Sequence, residues 1–138
     1  QIYDKINFTK VNTLRMSDAG LDAGPIYNFK QISLQGSLND IWMTIAYAAF
    51  YLINDIIDNN IKPIQQPEGE FVTYKRRKDN EIPFDNEELE CIYDFIRMLD
   101  NKDYPNPFVK IGNYKLEFSR AQNNGDSILS DVVIKKFN

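Results

Sequence analysis

Between Ser37 and Asn60, the apolar residues Leu38, Ile41, Trp42, Ile45, Ala49, Leu52, Ile53 and Ile56 recur at helical spacing on one face, and no other stretch narrows the fold as far. The rhythm predicts a single helix. Ser37 is its N-cap, Asp40 three positions on closes a capping box, and Asn59-Asn60 can take the left-handed turn that ends it. Burying such a stripe is worth ~12–24 kcal/mol before conformational entropy is subtracted, so it demands a partner surface. Left bare, it would expose Leu38, Ile41, Ile45 and Ile56 or bury them by self-association. Tyr47, Phe50 and Tyr51 lie off the stripe, and their size assigns them to a second covered surface.

Read with the segments before the helix, the partner is the face of a sheet. Phe8 to Met16 is rich in β-branched and apolar residues without Gly or Pro, and Ile26 to Leu34 alternates Tyr27 and Phe29 against Asn28 and Lys30. Both read as strands. Between them, Gly20-Leu21-Asp22-Ala23-Gly24-Pro25 presents one carboxylate between two glycines, and Pro25 stops a helix from running through the loop. On local grounds Asp22 is a turn former, since Asp bonds its own backbone and tolerates unusual angles.

After the helix, residues 61–84 hold Pro63, Pro67, Pro83 and Gly69 without a sustained period and read as a linker. Inside it, Phe71-Val72-Thr73-Tyr74 can form a short strand that leads into Lys75-Arg76-Arg77-Lys78. That run either contacts an anion or acceptor (a phosphate, a folate tail or RNA) or is simply a solvated charge cluster. A second helix is expected over 85–100, with Asp85 as N-cap, Glu88 in a capping box and Phe84 against Leu89 as a staple. Its apolar face is Leu89, Ile92, Tyr93, Ile96 and Leu99, with the passive thiol of Cys91 turned away. Beyond Pro105 and Pro107, Phe108–Ile111 and Tyr114–Phe118 flank Gly112-Asn113 as a two-residue hairpin. A second hairpin turns at Asn123-Asn124-Gly125-Asp126.

The composition of 43% apolar and 26% charged residues over 138 positions is that of a globular chain and argues against disorder. No continuous apolar run approaches the ~20 residues of a membrane span, and no signal peptide pattern opens the chain, so a cytoplasmic protein without membrane contact is expected. One cysteine and no histidine rule out an internal disulfide and a zinc site built from this chain, so no metal is expected. A net charge of −4 weighs against a broad nucleic-acid surface.

Asn12-Thr13-Leu14-Arg15-Met16, then Leu21-Asp22-Ala23-Gly24-Pro25-Ile26-Tyr27, Gly36 and a long helix resemble the last active-site segment of the 10-formyltetrahydrofolate-dependent formyltransferases. That family includes methionyl-tRNA formyltransferase and the sugar-nucleotide N-formyltransferases. Tyr93 to Asp100, Tyr104-Pro105 and Glu117-Phe118-Ser119-Arg120-Ala121 look like its C-terminal region, and the likeness runs in order over residues 8–121. The fold it implies is α/β: the end of a Rossmann-like catalytic domain (two strands plus the long helix) over 1–60, the linker over 61–84, and a helix with β-hairpins over 85–138.

In the resembled family an Asn, a His and an Asp perform formyl transfer, and only the Asp maps onto this chain, at Asp22. The resemblance gives Asp22 the role of orienting and electrostatically supporting the His, within the loop Gly20, Leu21, Ala23, Gly24 and Pro25. The formyl donor would be 10-formyltetrahydrofolate, and the acceptor a primary amine on an amino-sugar nucleotide or on methionyl-tRNA; a homodimer is compatible with the family. The short C-terminal region leans slightly toward the small acceptor. A chain that begins with Gln and carries no histidine reads as a piece of such an enzyme that is inactive alone. The alternative is a catalytically incompetent binding or interaction domain derived from the same fold.

Overall fold

The computed structural model of the chain describes residues 1–18, 20–69, 77, 79–84 and 88–137. The architecture is mixed α/β, with two α-helices and two antiparallel sheets among the described residues, in the order β1 (Phe8–Leu14), β2 (Ile26–Ser33), α1 (Leu38–Asn59), α2 (Leu89–Arg97), β3 (Phe108–Ile111), β4 (Tyr114–Asn123) and β5 (Ile128–Lys136). Two compact units divide the chain, one made of Gln1–Asn7, Gln35–Ile41 and Arg76–Asn138 and the other of Phe8–Leu34 and Trp42–Lys75.

In the second of these, β1 and β2 form an antiparallel hairpin from Phe8↔Ser33 to Thr13↔Asn28, with a bulge at Leu14 where the chain leaves for the Asp22 loop. Ile64 adds a two-bond bridge to Ile26, each N–H donating to the other's carbonyl at 2.8 Å. Asn28 on β2 donates through Nδ2 to the Leu52 carbonyl (3.2 Å) and to Asp55 Oδ2 (2.9 Å) of α1, and the Lys30 ammonium sits 3.8 Å from the Tyr51 ring centre. Ile32, Leu34, Ala48 and Leu52 are buried here.

Helix α1 starts as its sequence dictates. The N–H and hydroxyl of Ser37 donate to Asp40 Oδ2 (2.9 and 2.8 Å), and the Asp40 N–H returns to Ser37 Oγ (3.3 Å). Asn60, at φ 49°, supplies the left-handed end. The stripe is only partly covered. Ile41 and Leu52 are buried and Leu38, Ala49 and Ile56 half-buried, but Trp42, Ile45 and Ile53 are exposed. Tyr47, Phe50 and Tyr51 also correct the expectation of a second covered surface, since they are 70%, 70% and 55% exposed. A rhythm of apolar residues states which face wants a partner; the partner has to come from elsewhere. By length and composition alone, α1 is long and apolar enough to cross a membrane, although Asn54 and Asp55 interrupt its apolar run.

In the other unit, the core gathers Ile82, Phe95, Ile96 and Leu99, with Ile92, Met98, Val109, Phe118 and Ala121 packed against them. Helix α2 is shorter than the expected 85–100. Glu88 occupies its N-cap position and its carboxylate pairs with Lys5; the expected cap, Asp85, lies outside the described residues. Phe84 and Leu89 are both exposed, so no staple forms. Phe95 replaces Tyr93 on the buried face. Both flank the Ile92-Ile96-Leu99 row, and the apolar ring is the one that goes inward. Gly112, at φ 57°, makes the two-residue turn between β3 and β4, and β4 pairs with β5 across the second hairpin.

Candidate active site

The chain enters the Asp22 loop from β1 and leaves it into β2, and three constraints fix its backbone. Arg15 donates its N–H to the Pro25 carbonyl at 2.8 Å, closing the neck of the loop. Gly24 lies so close to this neck that a Cβ there would sit 1.7 Å from the Arg15 carbonyl oxygen, a position no side chain can hold. Gln66 then reaches across from the segment after α1 and donates through Nε2 to the carbonyls of Asp22 and Gly24, both at 2.7 Å.

Held this way, Asp22 adopts φ 58°, left-handed backbone that Asp tolerates better than most residues, and Gly20 adopts φ 117°. The Asp22 side chain is exposed. Its residue lines a hollow of about 240 Å³ with Leu14, Arg15, Met16, Ser17 and Gly24. Small-molecule sites commonly enclose ~300–1,000 Å³, so these residues are one wall of a site and not the whole of it. Leu21 projects outward at 95% exposure, whereas Ala23 and Pro25 are half-buried.

The loop residues Gly20, Leu21, Asp22, Ala23, Gly24 and Pro25 are therefore one structure, as their spacing implies. The basic run is not brought to it by anything described: Lys75, Arg76 and Lys78 lie outside the described residues. Arg77 lies over the Phe95 ring at 5.2 Å and donates to Met98 Sδ at 3.8 Å, so it packs against the α2 core. Gln66 escaped the sequence reading. Nothing local separates it from Gln65, and its role depends on a contact made 44 positions away.

The profile of the methionyl-tRNA formyltransferase C-terminal domain matches residues 77–135. The chain is similar over 98% of its length to methionyl-tRNA formyltransferase from Clostridium thermocellum, at 38% identity and a TM-score of 0.88. The chain thus resembles the methionyl-tRNA formyltransferases. It spans 60% of the length of that Clostridium structure. Structures of lower identity share the fold alone. One is HypX from Aquifex aeolicus in complex with tetrahydrofolic acid (13% identity, TM-score 0.63, 87% of this chain and 22% of that one). Another is the N-formyltransferase from Helicobacter canadensis with folinic acid and dTDP-3-aminofucose (16%, 0.56, 84% and 54%). Comparison with curated proteins returns no match.

Proposed function

We propose that the chain contributes Asp22 to formyl transfer from 10-formyltetrahydrofolate to the amine of methionyl-tRNA. The observation that carries this reading is the loop: a carboxylate in left-handed backbone, fixed by the Arg15–Pro25 neck, the obligate Gly24 and the Gln66 clamp. Such a group is preorganised, and preorganised charge is what an acyl-transfer site needs.

Attack of a primary amine on the formyl carbon passes through a tetrahedral intermediate whose oxygen gains negative charge while the amine loses a proton. A neighbouring imidazole would take the proton, and Asp22 would hold that ring in one tautomer and balance its positive charge. The chain has no histidine, so in this reading the imidazole and the oxyanion donor come from residues outside these 138, and the chain alone is inactive. The folate would lie against the wall formed by Leu14, Met16 and Gly24. Methionyl-tRNA is favoured as acceptor by the 38% identity to the Clostridium enzyme and by the match over 77–135. An amino-sugar nucleotide, as named for the Helicobacter enzyme, is the second reading; the modest acidic charge of the chain favours it.

The test is a formylation assay on an active polypeptide that contains these residues, offered methionyl-tRNA and a dTDP-amino sugar in parallel. The reading expects turnover of the tRNA and a fall of ~10² or more in kcat for Asp22→Asn at unchanged melting temperature. A kcat within threefold of the unsubstituted enzyme would reduce Asp22 to a turn former.

A further inference from the structure

Two opposite charges share the wall of the hollow at the Asp22 loop. Among the described residues that line it, Asp22 is the only acid and Arg15 the only base, and both side chains are exposed. They form no ion pair with each other, and neither side chain has a partner among the described residues. The other described arginines are engaged. Arg97 holds Asp94, Arg120 pairs with Asp131, and Arg77 lies over the Phe95 ring.

The backbone of Arg15 is held from both sides. Its N–H donates to the Pro25 carbonyl at 2.8 Å, and its carbonyl oxygen stands so close to Gly24 that only glycine fits there. The guanidinium therefore hangs from a fixed point at the neck of the loop, with its donors unspent. A planar fork of this kind gives two parallel N–H bonds to a carboxylate or a phosphate, which the neutral lining of Leu14, Met16 and Ser17 cannot offer. Asp22 repels the same anion. The two charges thus set a direction across the wall: the anionic end of a ligand belongs at Arg15, and an amine that gains positive charge on attack belongs at Asp22.

We infer that Arg15 anchors a carboxylate or phosphate of the substrate and so determines specificity in the formyl transfer proposed above, the reading on which this inference rests. The formyl donor offers the carboxylates of its glutamyl tail, and the acceptor offers the phosphates of a tRNA end or of a sugar nucleotide. The chemistry at the guanidinium is the same for both.

Kinetics on an active polypeptide that contains these residues separate the two sources. The unsubstituted enzyme, Arg15→Gln and Arg15→Lys are each assayed with 10-formyltetrahydrofolate and with 10-formyltetrahydropteroate, which lacks the glutamate. Arg15→Gln should raise the KM of one substrate about tenfold or more, with kcat changed by less than about threefold. Its melting temperature should not move, because the guanidinium has no partner within the protein to lose. Arg15→Lys, which keeps the charge without the fork, should fall between. If the donor's carboxylates are held, the loss appears in the donor KM and vanishes with the pteroate. If the acceptor's phosphates are held, it appears in the acceptor KM with either donor. Both KM values within about threefold of the unsubstituted enzyme, or a loss confined to kcat, would overturn the role of Arg15 and leave the formyl-transfer reading standing. An unsubstituted enzyme that formylates neither acceptor sinks that reading instead, and equilibrium binding of folinic acid, tRNA and dTDP then decides the question of Arg15. Weaker binding of one of them by Arg15→Gln supports the anchor, and equal binding of all three overturns it.

Discussion

Gln66 and Asp22, separated by 44 positions, are joined by a 2.7 Å hydrogen bond from the glutamine side chain to the aspartate carbonyl, and the same nitrogen reaches Gly24. The segment after α1 thus sets the backbone of the loop that carries the carboxylate. Gln66→Leu should release both carbonyls and speed amide hydrogen exchange over residues 20–25, with a stability loss of ~1–2 kcal/mol for the two bonds. Unchanged exchange in that loop would show that the clamp holds nothing.

Gly24 and Gly20 make a paired test of the same loop. A methyl at Gly24 would stand 1.7 Å from the Arg15 carbonyl oxygen, backbone that cannot swing aside without opening the Arg15–Pro25 neck. At Gly20 nothing lies within 4 Å, so alanine there suffers only the strain of φ 117°. Gly24→Ala should therefore lower the melting temperature more than Gly20→Ala, with about 1–3 kcal/mol expected for the conformational strain alone at Gly20. Equal effects at the two sites would contradict the steric account.

Asp94 and Arg97 form a buried pair one turn apart on α2, with Arg97 Nε 2.6 Å from Asp94 Oδ1 and Nη1 donating to the Gly36 carbonyl at 2.8 Å. Removing one partner strands the other charge in a site only a tenth exposed. Arg97→Met should cost ~3–5 kcal/mol in urea denaturation, and Asp94→Leu together with Arg97→Met should cost less than the single change. A double variant as unstable as the sum of the single ones would mean the pair is not coupled.

The limits of legibility follow from where each signal resides. The Ser37–Asp40 box, the Asn60 turn, the Gly112 hairpin and the Asp22 loop were all readable because the chemistry that makes them lies within a few residues. Gln66 and Ile64 were not, because a proline-bearing stretch without a period looks the same whether it hangs free or is bonded to a strand. Asp94 and Arg97 were not singled out, because charge ordinarily marks the surface and only a mutual pair plus a spare carbonyl permits burial. On α1 the apolar face was legible and its partner was not, since an amphipathic stripe does not encode what covers it.

Glu117 on β4 offers a pH test with a defined sign. A hydrogen bond from Lys135, joined by Lys115 at 2.9 Å, holds its carboxyl below the ordinary value of 4.5, and burial only partly opposes this. A carboxyl whose folded pKa lies below its unfolded one favours folding while ionised. That contribution is complete above about pH 4.5 and fades as pH falls through the lower folded value. Glu117→Gln keeps the size and removes the charge, so the gap in melting temperature between it and the unsubstituted protein should be widest near neutrality and should close on acidification. Lys115 and Lys135 would then face each other on paired positions of β4 and β5 without the carboxylate between them, which adds to the gap at neutral pH. That second cost also arises in the unsubstituted protein once Glu117 is protonated, so it leaves the gap together with the first as pH falls. A gap of constant size from pH 7 to about pH 3 would show that Glu117 acts through packing alone and that its ion pairs contribute nothing to the sheet.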